Sequence, residues 1–138
     1  MLHIRKIKPM FTSVLTTGDV FEKDMVDGGI LIAKKGDLKL WQKVLAVGSS
    51  VRDIEVGDMV MIIPDHFAVK KYNKNSVQND LDNNPVLTYH FPFETIEDEE
   101  GNPQECLYID LRDIKYAFEG EEKDDAVILP GKPTLILN

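Results

Sequence analysis

The apolar residues of this chain occur in short runs, rich in Val and Ile, that are separated by Gly, Asp, Asn and Pro. Strands of globular proteins have this length and composition, and no window is long enough for a well-supported amphipathic helix. The sequence therefore predicts an all-β fold, with a small antiparallel β-barrel as the best architecture. The predicted strands are 4–15, 41–47, 59–63, 66–72, 86–93, 106–111 and 114–118.

Size and charge exclude several classes of partner. A chain of 138 residues suits a single domain, and its formal net charge of -8 makes a nucleic-acid backbone an unfavourable partner. The apolar runs are far shorter than the roughly 18–20 residues of a membrane span, and the first residues lack the apolar region of a secretory signal, so no membrane partner is expected. Cys106 is the single cysteine, which excludes an intramolecular disulfide and fits a reducing cytoplasm.

Four segments have the composition of exposed chain or of an added tail. Residues 73–85 hold five asparagines and predict an exposed insertion, whereas residues 94–105 hold six acidic side chains and predict a hairpin or loop tip. Residues 119–125 form an acidic, solvated spacer. Residues 126–138 are strongly apolar, so we expect this tail to pair with its own barrel or with the edge of a neighbour.

Three motifs follow one another with a spacing that is found in a known family. They read GGILI at 28–32, VLAVG at 44–48 and IEVGDMV at 54–60. In order and spacing this part of the chain resembles the GroES-type co-chaperonins, the chaperonin-10 family. Residues 7–15 and 105–116 resemble the first and the closing strands of that family more weakly.

The resemblance implies a domain organisation. Residues 1–118 would form a GroES-like barrel, with a long mobile loop at about 19–40 and an insertion at about 73–105. Residues 119–138 would follow as an acidic spacer and an apolar C-terminal tail. A typical family member ends soon after its closing strand, so the insertion and the tail are departures from the family.

The resemblance also implies a function. The family's loop orders on contact with a GroEL-type chaperonin, and its aliphatic side chains enter an apolar groove. The chain would thus be a co-chaperonin without enzymatic activity or cofactor: an oligomeric ring, a heptamer in the family, that closes the ATP-bound chaperonin and assists protein folding in the cytoplasm. The residues so assigned to chaperonin binding are Gly28, Gly29, Ile30, Leu31 and Ile32. A structural role in turns is predicted for Gly48, Val56, Gly57 and Asp58.

Three alternatives remain open at this point. Locally, Gly28-Gly29 also fits an ordinary hairpin turn, with Ile30 to Ile32 as a core strand. For the whole chain, the departures fit a divergent, phage-encoded co-chaperonin, and they equally fit a structural, virion or decoration protein that reuses the barrel for assembly. A GroES-like domain of the kind attached to dehydrogenases is a weaker alternative, because the nucleotide-binding half and a zinc-ligand set are missing.

Catalytic chemistry has little support in the sequence. The three histidines are scattered, and neither they nor Cys106 have the spacing of a metal site or a catalytic dyad. Cys106 lies in a predicted strand, where an inert buried thiol is expected. No catalytic or metal-binding residue is therefore assigned, and Trp41 is expected to be buried in the core.

Overall fold

The computed structural model describes residues 1–71 and 86–123, and these form β-strands and two short 3-10 helices, Pro64–Phe67 and Leu111–Asp113. No α-helix occurs among these residues, which confirms the predicted all-β class. The strands are β1 Ser13–Thr17, β2 Met25–Asp27, β3 Ile30–Ala33, β4 Trp41–Val47, β5 Met59–Ile62, β6 Ala68–Lys71, β7 Val86–Tyr89, β8 Phe93–Glu97, β9 Pro103–Asp110 and β10 Ile114–Phe118.

The strands pair antiparallel in three sheets. The largest has six strands in the order β10-β5-β4-β1-β9-β8, and β2-β3 and β6-β7 are separate two-stranded hairpins. Over the two described ranges the outer strands β10 and β8 do not pair with each other, so hydrogen bonds do not close the sheet into a barrel. The antiparallel prediction is confirmed, and the closed barrel is not.

The core lies on one face of the six-stranded sheet. In β5, Val60 and Ile62 are buried while Met59 and Met61 are only half-buried, as the two-residue period of a strand requires. Burial of these aliphatic side chains is the main stabilising contribution of the fold. The buried core cluster is Val14, Val44, Ile54, Val60, Ile62, Leu107 and Ile109.

The first predicted strand is much shorter than expected. Residues 4–12 are not a strand, and β1 begins only at Ser13. The reason is a turn: Phe11 has a positive φ of 54°, and the Ser13 N–H donates to the Met10 carbonyl over 2.9 Å. Left-handed backbone breaks a strand, so the regular pairing of β1 begins only after this turn.

A nearby proline changes two other predicted strands. Pro64 opens a 3-10 helix that includes His66, so the predicted strand 66–72 starts only at Ala68. The predicted strand 86–93 is wrong as a single element, because β7 pairs with β6 whereas β8 pairs with β9. Pro92, which has no N–H to donate, lies between β7 and β8.

The segment 94–105 confirms the predicted hairpin. It contributes most of β8 and the start of β9, which are joined by a turn in which one Asp98 oxygen, Oδ1, accepts the N–H groups of Glu100 and Asn102. The predicted insertion at 73–85 and the apolar tail at 126–138 lie outside the described residues. No helix of the described ranges has the length and apolar character needed to cross a membrane.

Gly48 is required by a close approach of the backbone. A Cβ atom at this position would lie 2.2 Å from the Phe11 carbonyl oxygen, closer than any tolerated contact. The Gly48 N–H donates to the Ser13 carbonyl over 2.9 Å, and the Ser50 N–H donates to that of Phe11 over 2.9 Å. The end of β4 is thus seated directly on the turn that precedes β1.

We expect the substitution Gly48→Ala to destabilise the fold by about 3 kcal/mol, because the methyl group can be accommodated only by moving the Phe11 backbone. Urea unfolding followed by circular dichroism measures this change. Gly120→Ala is the matched control, since its Cβ would meet nothing closer than 3.6 Å, and its effect should stay within about 0.5 kcal/mol. Equal stabilities of the two variants would contradict the close approach.

Candidate functional site

The predicted mobile loop, residues 19–40, folds as a hairpin that leaves the sheet between β1 and β4, and we call it the arm. Strands β2 and β3 form its outer part, and an isolated bridge between Val20 and Leu38 forms its base. The Phe21 N–H donates to the Asp37 carbonyl over 2.9 Å, and the Lys39 N–H donates to the Asp19 carbonyl over 3.1 Å. Backbone hydrogen bonds therefore join its two legs.

Two glycines turn the chain at the tip of the arm. Asp27 pairs with Ile30, so Gly28 and Gly29 form a two-residue loop, with φ angles of 61° and 83°. A type I′ hairpin turn requires positive φ at both positions, and glycine adopts it without steric cost. The two glycines therefore form an ordinary hairpin turn, as the alternative interpretation of this segment predicts.

The aliphatic triplet that follows the turn is exposed. Ile30 is 70%, Leu31 46% and Ile32 59% accessible, so the prediction of a core strand is wrong. Met25 pairs with Ala33 while Val26 pairs with Leu31, which leaves Ile32 as an extra residue in a bulge of β3. The arm combines a regular hairpin turn with three adjacent aliphatic side chains in solvent.

Gln42, which is fully buried, ties the base of the arm to the sheet. Its Oε1 accepts the Thr17 hydroxyl over 2.7 Å and the Asp19 N–H over 3.0 Å. Its Nε2 donates to the carbonyls of Asp19 over 2.9 Å and Lys39 over 2.7 Å. The amide therefore uses all four of its hydrogen-bonding positions, and it holds both legs of the arm at once.

Gln42 was not among the residues predicted from the sequence. The available signal was the alternation of β4, in which Gln42 and Val44 share the inward face while Trp41 and Lys43 point outward. A polar side chain at an inward position predicts a buried hydrogen-bond network, because an unsatisfied amide there is costly. Two partners of that network, Thr17 and Asp19, could not be read from the sequence, since they lie 25 and 23 residues away.

Trp41 lies on the outer face of the sheet, so its expected place in the core is wrong. It is half-buried, and its ring meets Phe21 of the arm edge-on with centroids 5.7 Å apart. Its Nε1 is buried without a hydrogen bond of ordinary geometry to any described residue. The indole N–H and the Lys39 ammonium both lower the pKa of the Glu122 carboxyl. The Lys39 Nζ lies 3.0 Å from a carboxylate oxygen of Glu122.

The predicted turn residues lie apart from the tip of the arm. Gly57 has a φ of 99°, the Asp58 N–H donates to the Glu55 carbonyl, and one Asp58 carboxylate oxygen accepts the Glu55 N–H over 2.9 Å. Val56 projects into solvent at this turn, and Gly48 ends β4 as described above. These residues form turns of the sheet. The five residues predicted to bind a chaperonin, Gly28 to Ile32, lie together at the tip of the arm.

The described residues contain no group of three or more His, Cys, Asp or Glu side chains placed to hold a metal ion. Cys106 is buried, as expected, and burial, assisted by the Glu105 and Asp19 carboxylates, raises the pKa of its thiol. His66 pairs through Nδ1 with the buried Asp113 carboxylate over 3.1 Å. The Asp113 carboxylate also accepts the Asp110 N–H at the start of a 3-10 helix, so its contacts stabilise this turn of the backbone.

No known family model matches this chain, and no curated protein matches it.

We expect Gln42→Met to destabilise the protein by about 2–4 kcal/mol, because the new side chain has a similar volume but leaves the Asp19 N–H and the Lys39 carbonyl without their hydrogen-bond partner. Hydrogen exchange should show faster exchange at the Phe21 and Lys39 amides, which close the base of the arm. Lys43→Met, on the exposed face of the same strand, is the control and should change neither quantity. Unaltered protection of both amides in Gln42→Met would show that the arm does not depend on this amide.

Proposed function

We propose that this protein is a co-chaperonin of the GroES type, a lid for a GroEL-type chaperonin that assists protein folding. The observation that carries the proposal is the exposure of Ile30, Leu31 and Ile32 together at the tip of an anchored arm. Soluble proteins rarely leave adjacent large aliphatic side chains in water, and such patches commonly mark binding sites. The three motifs in family order support the same assignment.

The binding energy comes from burial of the triplet in an apolar groove of the chaperonin. Each aliphatic side chain contributes about 1.5–3 kcal/mol on full burial. Ordering a loop costs about 1–2 kcal/mol per residue, and the hydrogen bonds between the two legs of the arm reduce that cost. A single arm nevertheless binds weakly, because association itself has a large entropic cost.

A ring of copies turns weak arms into a tight lid. Once one arm is bound, the others bind intramolecularly, which raises the avidity by roughly 10²–10⁴. We propose a ring of subunits with a GroES-like fold, seven by family resemblance, in the cytoplasm. The outer strands β8 and β10 support assembly, because each pairs with a single strand over the described ranges. Apart from the Glu97 N–H of β8, which donates to the Ile4 carbonyl, their outer edges can pair with a neighbouring chain.

The lid acts through its difference in affinity for two states of the chaperonin. A ligand shifts a conformational equilibrium only by that difference, so the arms must bind the open, ATP-bound state better than the closed state. No catalytic group, cofactor or metal on the lid enters this mechanism. Nucleic acid and membranes have no part in it.

We expect the double substitution Ile30→Asp and Leu31→Asp to abolish binding to a GroEL-type chaperonin in the presence of ATP. Both side chains are exposed, so the charges should leave the fold intact while opposing burial in an apolar groove. Co-sedimentation with the chaperonin measures binding, and circular dichroism checks the fold.

Val56→Asp with Met10→Asp is the matched control. These side chains are 63% and 56% exposed, and the variant adds the same two charges away from the arm. It should bind the chaperonin like the unaltered protein. Full binding by the arm variant, or equal loss in both variants, would remove the aliphatic triplet from the proposed site.

A structural role, as a virion or decoration component, is the second candidate. The observation that favours it is the pairing of β2 with β3 into a hairpin, because a fixed arm is what such a protein would need. A structural protein keeps the arm folded in the isolated assembly and does not bind a chaperonin. Rapid proteolysis at Gly28 in the free protein together with protection by chaperonin and ATP would decide for the co-chaperonin.

A further inference from the structure

A groove of about 770 Å³ lies on the outer face of the sheet, on the side opposite the core, and we call it the outer groove. Its apolar lining comes from β4, β5 and β10 together with two residues of the arm. The apolar lining residues are Phe21, Met25, Trp41, Met59, Met61 and Phe118.

The register of the strands explains why this face is apolar. Trp41 pairs with Met61 across β4 and β5, and Phe118 pairs with Met59 across β10 and β5. Directly paired residues project on the same face of an antiparallel sheet, and here that face is opposite to the buried Val60. Apart from Lys43, which pairs with Met59, this outer face is therefore apolar. A solvated outer face of an antiparallel sheet normally carries polar residues.

The chain itself runs along the rim of the outer groove. After β10, residues 120–123 line the groove, and Glu122 is fixed there by the Lys39 ammonium, 3.0 Å from its carboxylate. Lys39 also lies 5.7 Å from the ring centroid of Phe21, so the same lysine joins the rim to the arm. The chain that follows Lys123 thus starts at the groove.

The segment that follows has the composition that such a surface would bind. Residues 126–137 contain six large aliphatic residues, and Lys132 is their single charged residue. The 15 residues from Asp124 to Asn138 can span about 50 Å when extended, which is ample to cross a groove of this volume. The apolar segment and the apolar groove are therefore within reach of each other.

We propose that the outer groove is the binding site for the chain's own C-terminal segment, residues 126–137. The groove and the segment belong to one chain, and only Asp124 and Asp125 separate the segment from Lys123 at the rim, so its effective concentration is in the millimolar range. This favours the chain's own segment over the segment of a second copy. The three methionines suit the role, because unbranched thioether side chains adapt to an irregular apolar ligand.

Binding of the segment also affects the arm. Phe21 and Met25 belong to the arm and line the outer groove, so a bound C-terminal segment contacts the base of the arm from outside while Gln42 holds it from inside. This proposal does not rest on the co-chaperonin function, and its test involves no chaperonin.

Trp41 makes the proposal directly measurable, because it is the chain's only tryptophan and lies in the groove. We expect the full-length double substitution Ile128→Asp and Ile136→Asp to release the segment, so that acrylamide quenches Trp41 fluorescence several-fold more strongly and the emission shifts to the red. A synthetic peptide of residues 124–138 with the natural sequence should reverse both changes saturably when added to this variant.

Thr134→Asp with Asn138→Asp is the matched control, since it adds the same two charges at polar positions of the same segment. It should be quenched like the unaltered protein. Equal quenching of all three proteins, with no response to the peptide, would overturn the proposal. Protection of Trp41 that disappears on dilution of the unaltered protein would also overturn it, because the groove would then bind the segment of a second copy.

Discussion

The geometry of the arm depends on one buried amide. Gln42 makes four hydrogen bonds from a strand of the sheet, and these reach both Asp19 and Lys39, where the two legs of the arm begin and end. Without this amide, the Asp19 N–H and the Lys39 carbonyl would lose their hydrogen bonds to the sheet. The exposed triplet at the tip can face a partner in a defined way because the base of the arm is fixed.

The six-stranded sheet has an apolar surface on each of its two faces. Its inner face carries the core around Val44 and Val60, and its outer face carries the groove around Trp41 and Met61. Gln42 stands on the inner face of β4 directly beside Trp41 on the outer face, so the same strand anchors the arm and forms the groove floor. The arm, the groove and the chain after β10 meet at this end of the molecule.

The sequence predicts the strands well where alternation is local and poorly where distant contacts decide. The bounds of β4 and β10 agree with the predicted 41–47 and 114–118, because each is a continuous apolar-rich run with clear breaks. The predicted start of the first strand was wrong, because the turn at Phe11 depends on a contact with Gly48, far along the chain. The tip residues were identified by resemblance, whereas Gln42 was missed because its partners come from two other segments.

The central claim is that the arm makes this protein a lid, and native mass spectrometry of the protein alone and with a GroEL-type chaperonin and ATP tests it most directly. The proposal predicts a closed ring that adds to the chaperonin as one unit, and only when ATP is present. A monomer or an open polymer that does not bind the chaperonin would contradict it, and would show that the exposed aliphatic arm serves another partner.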